Sequence, residues 1–223
     1  MIEDRFYCVG CGFSKIKPYM YAILDEIGIC RECFEDFHTT KDLTFEGKEF
    51  IDIAISPFLY DGIVSEIVRA FKFSGQVRYG DLLTELAFFR LKDTELLDNY
   101  DLIVPVPLHK NRLDERGYNQ SDIIAKRLGK LINTEVDYSS LIRIRDTLHQ
   151  SSLRGIDRIK NVKGAFTCKN KDLTDKKIIL VDDIYTMGET ANECAKELKI
   201  AGAKKVALFT LCKTVIKQKS SLF

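Results

Sequence analysis

The chain has 223 residues, 45% hydrophobic and 30% charged, which suits a folded protein with one main core and excludes a disordered tail. Basic residues number 34 and acidic residues 33, so the overall charge gives no general electrostatic reason to expect a nucleic acid or membrane partner. The charge is uneven, because residues 1–50 hold 6 basic and 10 acidic side chains and the remainder holds 28 and 23. We therefore expect an acidic N-terminal unit followed by a basic main unit.

The start of the chain and its hydropathy predict a location. Met1 to Arg5 lack the basic and then apolar layout of a secretion signal, and no apolar run has the length that crosses a bilayer. We expect a cytoplasmic protein without membrane insertion. In a reducing compartment the seven cysteines would rarely form disulfides, so their spacing bears first on metal binding.

Two Cys-x2-Cys pairs, Cys8 with Cys11 and Cys30 with Cys33, stand 18 residues apart. This spacing is typical of tetrahedral zinc, whereas a redox pair needs one such motif between a strand and a helix. Four thiolates leave no open coordination position, so the metal would be structural. Residues 1–41 are predicted to form a four-cysteine zinc-binding module with a small hairpin between the pairs, and His38 to be a surface residue. The other cysteines are predicted to be small buried hydrophobes, namely Cys168, Cys194 and Cys212.

Residues 42–100 are predicted to form a connector and a helical hood. Apolar residues recur at helical spacing over 63–73 and again over 80–91. The buried stripe predicted for the second helix consists of Leu82, Leu83, Leu86 and Phe89.

Residues 101–223 alternate between strand and helix patterns. Strands are predicted at 101–107, 140–144, 165–168, 177–181 and 206–211, and helices at 121–131 and 188–201. The strand runs are apolar without alternation, as strands covered on both faces should be. The pattern therefore predicts an α/β core, a parallel sheet flanked by helices.

The most informative stretch runs from 178 to 190. A buried strand ends in Asp182 and Asp183, and a loop with Thr186 and Gly188 opens a helix, a layout in which backbone amides and the helix dipole can hold a phosphate. The two carboxylates would face the crevice beyond the strands, where ribose hydroxyls and nearby magnesium would offset their charge. The alternative is a strand end followed by ordinary helix caps.

This stretch resembles the type I phosphoribosyltransferases. The resemblance implies that Asp182 and Asp183 hold the ribose hydroxyls of phosphoribosyl pyrophosphate. It also implies a 5-phosphate loop made of Thr186, Met187, Gly188, Glu189 and Thr190. Met187 stands where many members have Thr or Ala, so binding there relies on its amide. Thr186 stands where purine-salvage members often carry an acid, which argues against that activity.

A narrower resemblance, to the competence protein F or amidophosphoribosyltransferase-like family, covers nearly the whole chain. It is carried by the cysteine module, the run 104–112, the run 115–120, Lys72 with Phe73, and a polar series from Gln150 to Phe166. The resemblance implies a type I phosphoribosyltransferase fold behind the zinc module.

The same resemblance implies further site residues. The pyrophosphate loop would consist of Val106, Pro107, Leu108, His109, Lys110 and Arg116, although a proline-rich strand end also suits a rigid turn. Asn119 and Gln120 could contact diphosphate or acceptor, or cap a helix. The polar segment 145–163 matches a mobile loop over the active site, or is a solvated basic loop. Gln150 and Arg158 in it would join Asp182 and Asp183 as catalytic residues.

The implied chemistry is transfer of a pentosyl group from phosphoribosyl pyrophosphate to a nitrogen nucleophile, with magnesium stabilising the departing diphosphate. The family name implies a role in DNA uptake during natural transformation. The alternative is an accessory module that binds single-stranded DNA, among competence DNA-processing proteins, without phosphoribosyl transfer.

Overall fold

The computed structural model describes residues 5–8, 14–16, 29–35, 37, 39–73, 75–147, 161–169 and 172–214. The strands in these ranges are β1 Arg5–Tyr7, β2 Ser14–Ile16, β3 Thr44–Phe45, β4 Ile53–Ile55, β5 Phe58–Leu59, β6 Leu102–Pro105, β7 Leu141–Arg143, β8 Phe166–Cys168, β9 Lys177–Tyr185 and β10 Lys205–Lys213. The helices are α1 Arg31–Glu35, α2 Gly62–Phe73, α3 Arg78–Leu91, α4 Lys110–Arg116, α5 Gln120–Ile132 and α6 Glu189–Ile200. None of these helices has the length and apolar composition needed to cross a membrane.

The main sheet is built around β9 and β10, which pair in parallel along most of their length. Its order is β3-β4-β10-β9-β6, and β5 pairs with β10 beyond the end of β4. All neighbours are parallel except β3, which is antiparallel to β4 at the edge. The predicted parallel sheet is confirmed. Residues 44–59, predicted as a connector, add strands to it, and these two- or three-residue strands are too short to show a periodic pattern.

Both faces of the sheet are covered, as the unbroken apolar strands predicted. Ile179 and Val181 face the layer formed by α2, α3 and α5, whereas Ile178 and Leu180 face α6 and the antiparallel hairpin β7-β8. The two-residue period of β9 thus divides its apolar side chains between two cores. The fold is therefore α/β, with a mostly parallel sheet between two covering layers.

Three expectations about local structure need correction. Phe89 is 40% exposed, because the buried stripe of α3 runs through Leu82, Leu83, Leu86, Ala87 and Leu91 instead. Helix α4 was not predicted, since it buries no residue; His109 caps its start, and Gly117, at φ 80°, ends it. Strand β9 continues through both acids to Tyr185 rather than ending at residue 181.

The cysteine segment packs on the main core. Strands β1 and β2, which flank the first cysteine pair in the sequence, are paired antiparallel. The hairpin predicted between the two pairs falls mostly outside the described residues and stays a prediction. Cys8, Cys30 and Phe37 are buried in the same apolar cluster as α2 and α3. The ring of Phe37 meets Phe58 of β5 edge to face, with centroids 5.5 Å apart. The boundaries predicted at residues 41 and 100 therefore separate segments that share a core.

The contact between α2 and α3 depends on a glycine. A Cβ at Gly80 would lie 2.5 Å from Cζ of Phe71 and 3.0 Å from Cγ2 of Ile123. Alanine usually stabilises a helix by about 1 kcal/mol over glycine, but overpacking costs about 1–3 kcal/mol. We therefore expect Gly80→Ala to lower the free energy of unfolding by about 1 kcal/mol or more in urea denaturation.

The control is a double-mutant cycle with Phe71→Leu. This substitution replaces the ring that would clash with the new methyl group by a shorter side chain. The cost of Gly80→Ala should fall in that background. An equal or larger cost there would contradict the steric explanation.

Candidate functional site

A cleft of about 380 Å³ opens beyond the carboxyl ends of β6 and β9. Ligands of open α/β sheets bind at this edge, where the loops that follow neighbouring strands diverge. The cleft is lined by the end of α2, the loop after β6, the start of α5, β7 and the end of β9. Segments far apart in the sequence therefore converge on Asp182 and Asp183.

The two adjacent carboxylates have different partners. Asp183 Oδ2 accepts an ion-paired hydrogen bond from Nζ of Lys72, at 2.8 Å, in the last turn of α2. Asp182 Oδ1 accepts from the Asp183 N–H at 2.9 Å and from Ser121 Oγ at 3.3 Å. Both partners belong to the helical layer, because Lys72 lies in the last turn of α2 and Ser121 lies in the first turn of α5.

The surroundings of the two carboxylates shift the pKa values of Asp182 and Lys72. Burial, and then the charge of Asp183, raise the pKa of Asp182 to about 7, although the Asp183 N–H and Lys72 act against them. Burial lowers the pKa of Lys72, but the attraction of Asp183 outweighs it and leaves that pKa raised. Lys72 and Asp183 thus form an ion pair in the cleft, and the raised pKa of Asp182 brings its titration towards neutral pH.

The loop before α6 has the backbone that an anion site needs. Gly188 caps the helix at φ 72°, a left-handed conformation, and a Cβ there would lie 2.6 Å from the Tyr185 ring. Thr186 and Thr190 line the cleft. Glu189 instead pairs with Lys48, outside the cleft. Met187 is 39% exposed and does not line it either.

Only some of the residues predicted to bind pyrophosphate line the cleft. Val106, Pro107, Leu108 and Arg116 line the cleft. His109 does not, because its Nδ1 accepts the Asn111 N–H at 3.3 Å and caps α4. A ring nitrogen that accepts this bond carries no proton, so it cannot also donate to Asp146 Oδ2, 3.5 Å away. Lys110 is exposed outside the cleft.

The cleft also contains Lys72, Arg112 and Arg143. Lys72 and Arg143 were given no site assignment from the sequence. Both arginines donate to Thr147, one to its carbonyl oxygen and one to its hydroxyl. Burial, and then the charge of Arg112, lower the pKa of Arg143. Its buried Nε has no partner among the described residues.

The sequence contained a pattern that could have indicated Arg143 as a site residue. Arg143 shares a face of β7 with buried Leu141, and a charged residue on a buried face usually has a partner or a ligand.

The cysteine cluster is a second site. The sulfur atoms of Cys8, Cys30 and Cys33 lie within 4.8 Å of one another, and all three residues are buried. The Cys30 N–H donates to Cys8 Sγ at 3.2 Å, and burial raises the pKa of the Cys30 thiol to about 11. Buried thiols this close, with an amide directed at sulfur, fit a zinc site. Cys11, the fourth predicted ligand, and His38 lie outside the described residues.

Comparisons with known proteins agree with this geometry. The phosphoribosyl transferase domain family matches residues 113–222. "Competence protein F" of Haemophilus influenzae is 30% identical over 95% of this chain and 86% of its own length. The chain belongs to the competence protein F family. "DNA utilization protein YhgH" of Escherichia coli is 31% identical over 68% of each chain. The purine phosphoribosyltransferase of Pyrococcus horikoshii is 19% identical over 60% of this chain and 87% of that one, with a TM-score of 0.37.

The catalytic residues implied for this competence protein F family member are only partly described. Asp182 and Asp183 lie in the cleft. Gln150 and Arg158 lie outside the described residues, so their roles stay predictions. Thr147, at the start of that polar segment, is buried beside Arg112 and Arg143.

The raised pKa of Asp182 predicts how stability varies with pH. Because its pKa is about 7 in the folded chain and 3.8 is its ordinary value, the folded state binds this proton more tightly. The stabilising contribution of protonated Asp182 to the free energy of unfolding is therefore lost as pH rises from about 4 to 7. Asp182→Asn keeps the oxygen that accepts from Asp183 and Ser121 and removes the charge. We expect this variant to be more stable than wild type by roughly 2–4 kcal/mol at pH 8, and by much less at pH 4.5.

Thermal melts across this range measure the difference. Asp98→Asn, at an exposed carboxyl group, is the matched control and should track wild type. A stabilisation by Asp182→Asn that is equal at both pH values would contradict the assignment.

Proposed function

We propose that this chain binds phosphoribosyl pyrophosphate with magnesium in the cleft, as a phosphoribosyltransferase-like protein acting in competence. The proposal is carried by one observation: the two acids of β9 border the same cleft as Arg112 and Arg143, together with Thr186 and Thr190, which flank the left-handed Gly188 that opens α6. A ribose, a monophosphate and a diphosphate thus each have a chemically matched partner.

The ribose would bind at the acids. Asp183 is paired with Lys72, so it can accept hydrogen bonds from hydroxyl groups without leaving a buried charge unpaired. Asp182 would accept another hydroxyl, and Ser121 already holds its Oδ1 in place. The 5-phosphate would lie against the amides at the start of α6, where the helix dipole favours an anion, with the hydroxyl groups of Thr186 and Thr190 beside it.

The diphosphate would bind at the opposite wall. Arg143 has a buried Nε there with no partner among the described residues, and Arg112 is its neighbour through Thr147. A guanidinium forms two parallel hydrogen bonds with phosphate oxygens, and the loop 106–108 supplies backbone amides. Magnesium, when bound with the diphosphate near Asp182 and Asp183, would neutralise negative charge on the leaving group.

The biological setting is proposed from the relatives. Their names refer to competence and DNA utilization, so we propose that this chain supports DNA uptake in natural transformation. Direct binding of single-stranded DNA would need cations spread along a groove that follows the strand. Lys72, Arg112 and Arg143 instead converge in one cleft, which favours a compact anionic ligand.

The sugar site can be tested by calorimetry. Asp182→Asn with Asp183→Asn removes both carboxylates, so we expect the affinity for phosphoribosyl pyrophosphate with magnesium to fall below detection. The matched control, Asp93→Asn with Asp98→Asn, changes two exposed carboxylates after α3 and should bind like wild type. Unchanged affinity in the first variant, shown to be folded by circular dichroism, would refute the site.

The cysteine cluster gives a separate test. We propose that it binds one structural zinc ion, with Cys11 as fourth ligand. Elemental analysis should find one zinc per chain in the wild type. Cys33→Ser should lower that content and the melting temperature, because removing a ligand opens the closed site. Cys168→Ala, at a buried cysteine outside the cluster, should retain full zinc, and a zinc-free wild-type chain would refute the proposal.

A further inference from the structure

Phe73 has an unusual position for a large apolar side chain. It is the last residue of α2, it is 75% exposed, and it lines the cleft next to Lys72. Single exposed hydrophobic residues are common on protein surfaces. This one stands at the rim of a polar cleft, where an aromatic face is available to a ligand that enters beside Asp183.

Arg116 joins this ring to the interior of the cleft. Its guanidinium carbon lies 5.5 Å from the Phe73 ring centroid, and its NH1 donates to Gln120 Oε1 at 2.6 Å. The three side chains form a continuous wall from solvent to the start of α5. This wall contains an aromatic face, a planar cation and an amide.

Gln120 contributes a hydrogen-bond donor to this wall. It is only 2% exposed, and its Nε2 has no hydrogen-bond partner among the described residues. The orientation of the amide is fixed, because a guanidinium only donates and the oxygen must therefore face Arg116. An unpaired buried donor is costly, so a ligand with an acceptor atom at this position would remove the cost.

We propose that Phe73, Arg116 and Gln120 form the acceptor site, and that they select a planar heteroaromatic ring. One face of the ring packs on Phe73, and a ring nitrogen or carbonyl oxygen at its edge accepts from Gln120 Nε2. This assignment rests on the proposed function, and it gives Arg116 to the acceptor instead of the diphosphate.

The transfer of the phosphoribosyl group to this ring forms one bond and breaks one bond. A nitrogen lone pair of the ring forms the bond to C1 of the ribose. The bond from C1 to the diphosphate oxygen breaks and its electron pair leaves on the diphosphate. An attacking nitrogen that carries a proton releases it to water, whereas a pyridine-type nitrogen keeps the positive charge. The planar ring has two sources, a free base or a base within a single strand of nucleic acid, and the face that Phe73 contacts is the same in both.

Saturation-transfer NMR and equilibrium dialysis test the proposal with named probes. Adenine, uracil and nicotinamide represent planar rings, piperidine represents a saturated amine, and a short oligothymidylate represents the strand. Each probe is measured with and without magnesium and phosphoribosyl pyrophosphate. Phe73→Leu keeps an apolar side chain and removes the ring, and Gln120→Glu keeps the acceptor for Arg116 and removes the free donor.

The matched control is Phe89→Leu, because Phe89 is also an exposed ring with a cation over it, Lys92 at 4.5 Å, and it does not line the cleft. We expect at least one planar probe to bind and piperidine not to bind. Phe73→Leu should weaken the planar probe roughly tenfold, the scale of one lost stacking contact. Gln120→Glu should weaken it as well, and Phe89→Leu should behave as wild type.

Equal loss in Phe73→Leu and Phe89→Leu, no loss in either, or equal binding of piperidine would overturn the proposal. Binding of the oligothymidylate alone, lost in Phe73→Leu, would support the aromatic site with a nucleic acid strand as its source. Calorimetry with phosphoribosyl pyrophosphate on the same samples separates the two ideas. If planar probes bind but phosphoribosyl pyrophosphate does not, the proposed function is refuted and the aromatic site is still supported.

Discussion

The ion pair between Lys72 and Asp183 joins the helical layer to the central strand, and the cleft depends on it. It places a cation beside a carboxylate that would otherwise lie buried and unpaired at the edge of the sheet. It also fixes the end of α2, where Phe73 follows directly. Beside this pair, burial and then the charge of Asp183 raise the pKa of Asp182 towards neutrality, although Lys72 acts against them.

The site carries other local costs that the core offsets. Asp182 is destabilising when ionised, and Arg143 Nε and Gln120 Nε2 are buried without hydrogen-bond partners among the described residues. Two apolar layers around β9 and β10 hold these groups in place. Costs of this kind concentrate where a ligand supplies the missing partners. Their convergence on one cleft therefore supports binding more strongly than any single residue does.

The sequence could predict features that depend on a periodic pattern within one helix or strand. It could not predict contacts between elements that lie far apart in the sequence. Helices α2 and α5 and strands β9 and β10 were predictable, because each buries a face over many residues. The sequence pattern also placed Asp182 and Asp183 together near the end of a buried strand, and both line the cleft. Lys72 and Arg143 were not assigned to the site, since only the fold brings them to β9. Phe89 and Phe73 show the same limit: helical periodicity wrongly placed Phe89 in the core and gave no sign that Phe73 lies at the rim of the cleft.

The cysteine cluster influences the cleft through packing. Cys8, Cys30 and Cys33 lie in one apolar cluster with Phe37 and the buried face of α2. Phe37 packs on Phe58, and β5, which contains Phe58, pairs with β10 at Cys212 and Lys213. Beyond that pairing the chain enters α2, whose last two residues are Lys72 and Phe73. A metal held by the cysteines would therefore support the helix that carries the counter-cation of Asp183, which is the role that a closed, structural coordination sphere permits.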